Sequence, residues 1–433
     1  MSYPQITQIV LLIVLTWTSA GAVVQQTSKR VDEQTHLGMI AAEANNLKEA
    51  EQHFAAAASL APSDPSTRNN YGAILMRLGR TAEARSEFEA SLKLNPDQPS
   101  ALTNLAQIYF DCGEPDDLLM AQSLLQRAAK ITSDPEISRA LVTTVLALSR
   151  AQLLKKDFRA AGRTLESAVA GGMDDAKIYA ALAEVYEADG HYENAIPAMR
   201  LAVQRDPHNE AYHFRYGLLL TDSHAPGAGI VRLQEALKQF PDSARLWLAL
   251  GIAQLAYGQN TEAENSFKRS LALDPKAVPA LAYLGVTYVE RGLYDNAIDY
   301  YQRAIALDPQ VAALHYLAAD TMLKSPGADT SQAEKYLKRA LELDPNLAAA
   351  YLTWAKFYVR TNRYAEAAPL LERAVSLQPE LLEAHYQLGR VLMKLKRTDE
   401  ANRELEIFKT LSEKQKAQNE PREIARRLAN VRF

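Results

Sequence analysis

The chain has 433 residues, enough for two or three ordinary domains or for one extended array of small units. Its 48 basic and 52 acidic residues leave a net charge of −4, which removes any whole-chain case for binding nucleic acid or an acidic membrane surface. A single cysteine, Cys112, excludes an intramolecular disulfide and a thiolate metal cage, and reads as a small residue in a helical hairpin.

The first element is the apolar run "IVLLIVLTW" (Ile9–Trp17), followed by small residues with Ala20-Gly21-Ala22 as the favoured cleavage site. Residues 1–22 are therefore expected to be a secretory signal, and the protein to be exported, periplasmic or extracellular. No Lys or Arg precedes the run, and Ile6–Val24 is just long enough to span a bilayer, so an uncleaved anchor through residues 6–24 is the alternative.

From Val31 onward the chain repeats itself. Pro207, Pro241, Pro275 and Pro309 each lie 34 residues from the next, as do Pro62 and Pro96, and Pro345 and Pro379. Gly72, Gly217, Gly251 and Gly285 each stand 24 residues before such a proline, with Gly389 in the same register. Twelve residues after this small residue comes an alanine (Ala84, Ala263 and Ala297 among them), and seven further on another small residue, such as Ser91, Ser270 or Ala304. Small side chains on facing stripes let two short helices approach, and bulkier partners such as Tyr301 fill the gaps. The stretch "RGLYDNA" (Arg291–Ala297) is expected to break the chain between helices, with its Gly and Asn/Asp capping the second one. A proline, preceded in most units by Asp or Asn ("DP" or "NP"), then ends the hairpin. One such hairpin cannot bury its own apolar face, so neighbours must stack.

Some units depart from the pattern. "EPDDLLM" (Glu114–Met120) stretches the third and "SPGADTS" (Ser325–Ser331) the ninth. A degenerate unit near 136–175 lacks the closing proline and carries Ser149 at the small-residue place, which predicts a longer first helix. Residues 416–433 read as a terminal capping helix starting near Pro421, with Ile424, Leu428 and Val431 on one stripe.

No catalytic or metal-binding string stands out. His213, His315 and His385 all occupy the fourth place of their repeats, which scatters them over different hairpins and makes them structural. "TDSHAPGAG" (Thr221–Gly229) brings Asp, Ser and His together only where a turn requires such residues. The reading is non-enzymatic, with no cofactor and no metal.

A 34-residue helix–turn–helix with Gly/Ala, Tyr, Ala, Ala and Pro in this order resembles the tetratricopeptide repeat. About eleven units start near Val31, Pro65, Pro99, Glu136, Ala176, Glu210, Ala244, Val278, Ala312, Ala348 and Leu382, covering roughly residues 31–415. The resemblance implies an all-α, right-handed superhelical solenoid whose first helices line a concave groove. It also implies ligand contacts at the second, fifth, ninth, twelfth and thirteenth places of each unit.

Carried onto this sequence, those places give an apolar middle of Phe214, Leu218, Leu248, Ile252, Leu255, Ala282, Val286 and Val289. Further along they give Tyr316, Lys356, Arg360, Tyr386, Arg390 and Lys394, and near the N-terminus the polar Asn69, Thr103 and Gln107. The basic residues fall at the ninth and thirteenth places, so the terminal-carboxylate clamp of some family members is not reproduced; solvated charge and contact with an acidic ligand both stay open. The expected function is a scaffold that binds a peptide or partner protein in the groove. A self-associating envelope-assembly spacer is the alternative, and an accessory region of a transferase-like enzyme a third. Oligomeric state is left open.

Overall fold

The computed structural model describes residues 25–327 and 330–429, with side chains described as far as residue 415. The expected segments at 1–22 and 6–24, and the apolar stripe of the expected cap, lie outside that description. Every regular element among the described residues is an α-helix, as the composition predicts.

The chain divides into two bodies, one ending at Tyr212 and one starting at His213. In the first, α1 covers 25–43 and is followed by α2 (Leu47–Leu60), α3 (Pro65–Arg77), α4 (Thr81–Leu94) and α5 (Pro99–Cys112). Then come α6 (Pro115–Ile131), α7 (Pro135–Leu154), α8 (Phe158–Ala170), α9 (Ala176–Ala188) and α10 (Tyr192–Arg205). The second body takes up most of α11 (Glu210–Asp222), then α12 (Pro226–Gln239), α13 (Ala244–Ala256), α14 (Asn260–Leu273), α15 (Val278–Glu290) and α16 (Tyr294–Leu307). It continues with α17 (Ala312–Lys324), α18 (Thr330–Leu343), α19 (Ala348–Arg360), α20 (Tyr364–Leu377), α21 (Leu382–Lys394) and α22 (Thr398–Ala429).

Within each body successive helices pack as antiparallel hairpins, and each hairpin touches its sequence neighbours. This is a solenoid: contacts run along the stack, and no central core gathers distant segments. First helices also meet the first helices of adjacent hairpins, as in α3 with α5, α7 with α9, α13 with α15, α17 with α19 and α19 with α21. Among the described residues second helices show no comparable contact, so the first helices are crowded onto the inner side of each body.

The small residues do what their spacing requires. A Cβ on Gly285 would stand 2.4 Å from the Tyr301 ring, and one on Gly251 would stand 2.5 Å from that of Phe267. Both rings are buried, and Ala263, Ala297 and Ala304 beside them have no exposed surface. Proline ends the hairpins as expected, and the residue before it adds an Asx turn: Asp274, Asp308 and Asp344 each accept from the backbone N–H two residues on.

The proline carbonyl is then used by the next hairpin. Arg68 Nε, Trp247 Nε1, His315 Nε2, Tyr351 Oη and His385 Nε2 reach the carbonyls of Pro62, Pro241, Pro309, Pro345 and Pro379 at 2.9–3.3 Å. All five occupy the fourth place of a first helix. The fourth-place histidines His315 and His385 are thus structural fasteners, both buried.

Three expectations need correction. The N-cap of α16 is Leu293, without a side-chain bond; Asp295 and Asn296 already lie inside the first turn, where Asp295 acts on the helix dipole instead. The first hairpin does not start near Val31, because α1 is helical from residue 25 and Val31 is one of its buried residues. No separate cap helix begins at Pro421: α22 runs unbroken through it, since one proline removes a single ladder bond from a segment otherwise rich in strong helix formers. The degenerate unit does keep its hairpin, with α7 lengthened to 20 residues and Ser149 buried at the small-residue place.

Among the described residues only α7 is long and apolar enough to cross a membrane, and it packs on α6, α8 and α9. Several tyrosines are buried against neighbouring hairpins. Burial, with the Glu166 hydrogen bond adding, pushes Tyr186 up to about 12, and burial raises Tyr301 as well. Both ionise more readily in the unfolded chain, so their stabilisation is complete below about pH 10 and is lost as pH rises through their folded values. An absorbance titration at alkaline pH should show part of the phenolate signal delayed until helical circular dichroism falls. Full ionisation near pH 10 with helix intact would contradict this.

Candidate functional site

The expected groove residues lie on first helices, on the crowded inner side of the second body. Phe214 and Leu218 belong to α11, Leu248, Ile252 and Leu255 to α13, and Ala282, Val286 and Val289 to α15. All eight are half-buried. Their inner edges rest on the core: Phe214 and Leu218 pack on the cluster around Leu233 and Leu250, while Ile252 and Val286 pack on that around Phe267 and Tyr301. Their outer edges stay open, so the row is neither sealed in the stack nor fully solvated. Arg245 lies 4.7 Å from the Phe214 ring centroid and shields one end of the row.

Near the N-terminus the polar set does not come together. Asn69 is buried and accepts a hydrogen bond from Asn104 at 3.0 Å, so its oxygen is committed to the fold. Thr103 and Gln107 do share a hollow of about 240 Å³, but Thr103 donates to Pro99 and Gln107 to Asp111. Amide pairing within the stack, not ligand contact, accounts for Asn69.

The basic residues do converge. Lys356 and Arg360 of α19 and Arg390 and Lys394 of α21 line one cavity of about 450 Å³, with Lys324 and Asp320 of α17 at its edge. Thr353, Gln387 and Tyr364 complete its polar wall. Tyr316 and Tyr386 do not line it; Tyr386, 37% exposed, stands beside Arg390, whose guanidinium lies 5.5 Å from its ring centroid.

Part of the charge is matched internally. Lys324 lies 2.6 Å from Asp320, and Lys356 lies 3.5 Å from Glu383. Burial works to lower the Lys324 pKa, but the hydrogen bond and charge of Asp320 outweigh it and hold the ammonium above the ordinary lysine value. Burial, reinforced by Asp320, raises Tyr316. Arg360 is held by the Leu323 carbonyl at 2.9 Å, which fixes its direction and leaves its charge in place.

Sequence reasoning did not name Lys324, Asp320, Thr353 or Gln387. A signal existed for two of them: Asp320 and Lys324 hold the ninth and thirteenth places of α17, the same places that give Lys356 and Arg360 on α19. Thr353 and Gln387 hold the sixth place, where the resemblance implies no ligand contact. Among the described residues no group of three His, Cys, Asp or Glu side chains could hold a metal ion. His224 sits in its turn at φ 63.

Stacked helical hairpins with an inner face of first helices define a helical-repeat protein. Family models described as tetratricopeptide repeat match residues 75–143, 176–209, 226–277 and 248–312. A model described as anaphase-promoting complex, cyclosome, subunit 3 matches residues 328–407. No curated protein matches the chain. Among solved structures, yeast Tom70 is similar at 16% identity and a TM-score of 0.46, over 93% of this chain and 100% of that one. The APC/C hetero-tetramer Cut9–Hcn1 is similar at 15% identity and a TM-score of 0.43, over 90% and 88%. A crystal structure of MamA is similar at 25% identity and a TM-score of 0.35, over 38% and 96%.

Proposed function

We propose that this chain is a non-enzymatic interaction scaffold that holds a peptide or an extended segment of a partner protein along the first helices α11 to α21. The observation that carries the reading is the row from Phe214 to Val289, which keeps apolar surface open on the inner side after the hairpins have packed. Apolar surface left in a concavity and continued by a charged pocket is the arrangement expected of a protein-binding face. The N-terminal apolar run supports a working place outside the cytoplasm, either free after removal of 1–22 or tethered through 6–24.

Changing Leu218, Ile252 and Val286 together to Asp should abolish capture of the partner from native extract, with helical circular dichroism unchanged. Because all three touch the core, a Leu218→Ser, Ile252→Ser, Val286→Thr variant provides the gentler version, expected to weaken capture by about tenfold or more. Unchanged capture by either folded variant would overturn the reading. A concentration-dependent mass in light scattering, insensitive to these changes, would replace it with self-association.

A further inference from the structure

The pocket between α17, α19 and α21 contains an unmet acceptor among unmet cations. Gln387 is only 9% exposed, and its Oε1 has no hydrogen-bond partner in the described structure. The amide cannot simply be turned over, because Nε2 donates to Glu383 Oε1 at 2.7 Å and an oxygen there would face a carboxylate. A buried acceptor left empty is costly, and it asks for an N–H.

Around it the charge is unbalanced. Once Asp320 is set against Lys324 and Glu383 against Lys356, no acidic side chain among the described residues pairs with Arg360, Arg390 or Lys394. These three are divided between two helices, Arg360 on α19 and the other pair on α21. Packed helix axes stand about 8–10 Å apart, so a second carboxylate at that spacing would give each helix its own partner. An extended polyproline-II-like chain advances about 3.1 Å per residue and returns to the same face every third residue, about 9 Å on. That step matches the helix spacing, and such a chain also supplies backbone N–H groups between its side chains.

We propose that this pocket binds an extended acidic peptide segment, one carboxylate on Arg360, a second three residues along on Arg390 and Lys394, and a backbone N–H between them donated to Gln387 Oε1. The inference deepens the scaffold reading by naming the chemistry of the partner at this end of the first-helix face. It differs from capture of a chain terminus, since the carboxylates are side chains and the peptide continues on both sides.

The test uses the full chain and labelled peptides acetylated and amidated at their ends, read by fluorescence anisotropy. A peptide with two glutamates three residues apart should bind about tenfold tighter than one of the same composition with adjacent glutamates. Arg390→Gln with Lys394→Met, both at exposed positions, should weaken it by about tenfold, and raising salt from about 50 to about 500 mM should weaken it further. Gln387→Met, which keeps the volume and removes the acceptor, should cost several-fold with the salt dependence unchanged. Equal binding of the two spacings, indifference to the double substitution, or binding only by peptides with a free terminal carboxylate would each overturn the proposal. Full displacement by millimolar inorganic phosphate would reduce the pocket to a general anion site and overturn it too.

The apolar variant at Leu218, Ile252 and Val286 separates the two readings, because it should retain the spaced peptide. If partner capture depends on the apolar row while the spaced peptide fails to bind, the pocket assignment alone falls. If the peptide binds as described while capture ignores the apolar row, the scaffold reading falls instead.

Discussion

Phe267→Ala should lower the stability of the second body by about 3–5 kcal/mol, the range for deleting a fully buried aromatic ring. The ring has no exposed surface and fills the slot that Gly251 leaves between α13 and α14. It also stacks on Tyr283 of α15, with centroids 5.6 Å apart and planes 12° from parallel. One side chain therefore joins three consecutive helices. Since contacts in a solenoid run between neighbours, the loss should be concentrated there: hydrogen exchange in α13–α15 should accelerate first, before that of α19–α21. Urea denaturation followed by circular dichroism gives the size of the effect, and a loss under about 1 kcal/mol would contradict the packing described. A double-mutant cycle adds a sharper check. Gly251→Ala should be destabilising alone but nearly neutral beside Phe267→Ala, because the removed ring is what the new methyl would strike.

Gly285→Ala should also destabilise, against its helical propensity. Propensity alone favours alanine by about 1 kcal/mol in a helix interior. Here the added carbon would meet the Tyr301 ring at 2.4 Å, and that ring is 1% exposed with no room to withdraw. Overpacking of this kind costs about 1–3 kcal/mol, so the net sign should be a loss, and Gly285→Val should be worse by the volume of two methyls. Thermal unfolding decides it: a raised midpoint for Gly285→Ala would mean that α15 and α16 are not as close as described. Gly292, at φ 72 in the next turn, is the contrasting case, since nothing crowds it and its cost on substitution is one of backbone conformation.

The hairpins were legible because their constraints repeat. Proline at 34-residue spacing fixes where a second helix must stop, and the starts expected at Pro65, Pro99, Ala176, Glu210, Ala244, Val278, Ala312, Ala348 and Leu382 coincide with helix starts. Gly251 and Gly285 could be read as contact points because a missing side chain at a periodic place has little other purpose. Helix ends governed by propensity were harder. Asp295 and Asn296 have the residue types of a cap but stand too far into the helix, and Pro421 has the type of a terminator but is overruled by the segment around it. The apolar row lies on first helices, but its half-burial depends on how closely neighbouring hairpins pack, which no single repeat encodes. The basic pocket was the least legible part. Lys356, Arg360, Arg390 and Lys394 looked like solvated charge because exposed places tolerate any polar residue; only contacts between α17, α19 and α21 turn them into one cavity. Gln387 gave no signal, as its unmet oxygen follows from the direction of a single amide.

The fastening of proline carbonyls by fourth-place side chains bears on how such an array can change. The hook is a main-chain oxygen, so it survives any substitution at the helix end that keeps the turn. Its catch can be an imidazole, an indole, a phenol or a guanidinium, and where Leu102 offers no donor, Arg127 from the following helix reaches Pro96 at 2.6 Å. Joints that accept so many different latches allow one repeat to be copied, lost or rewritten while its neighbours still clip together, which leaves the inner face free to vary.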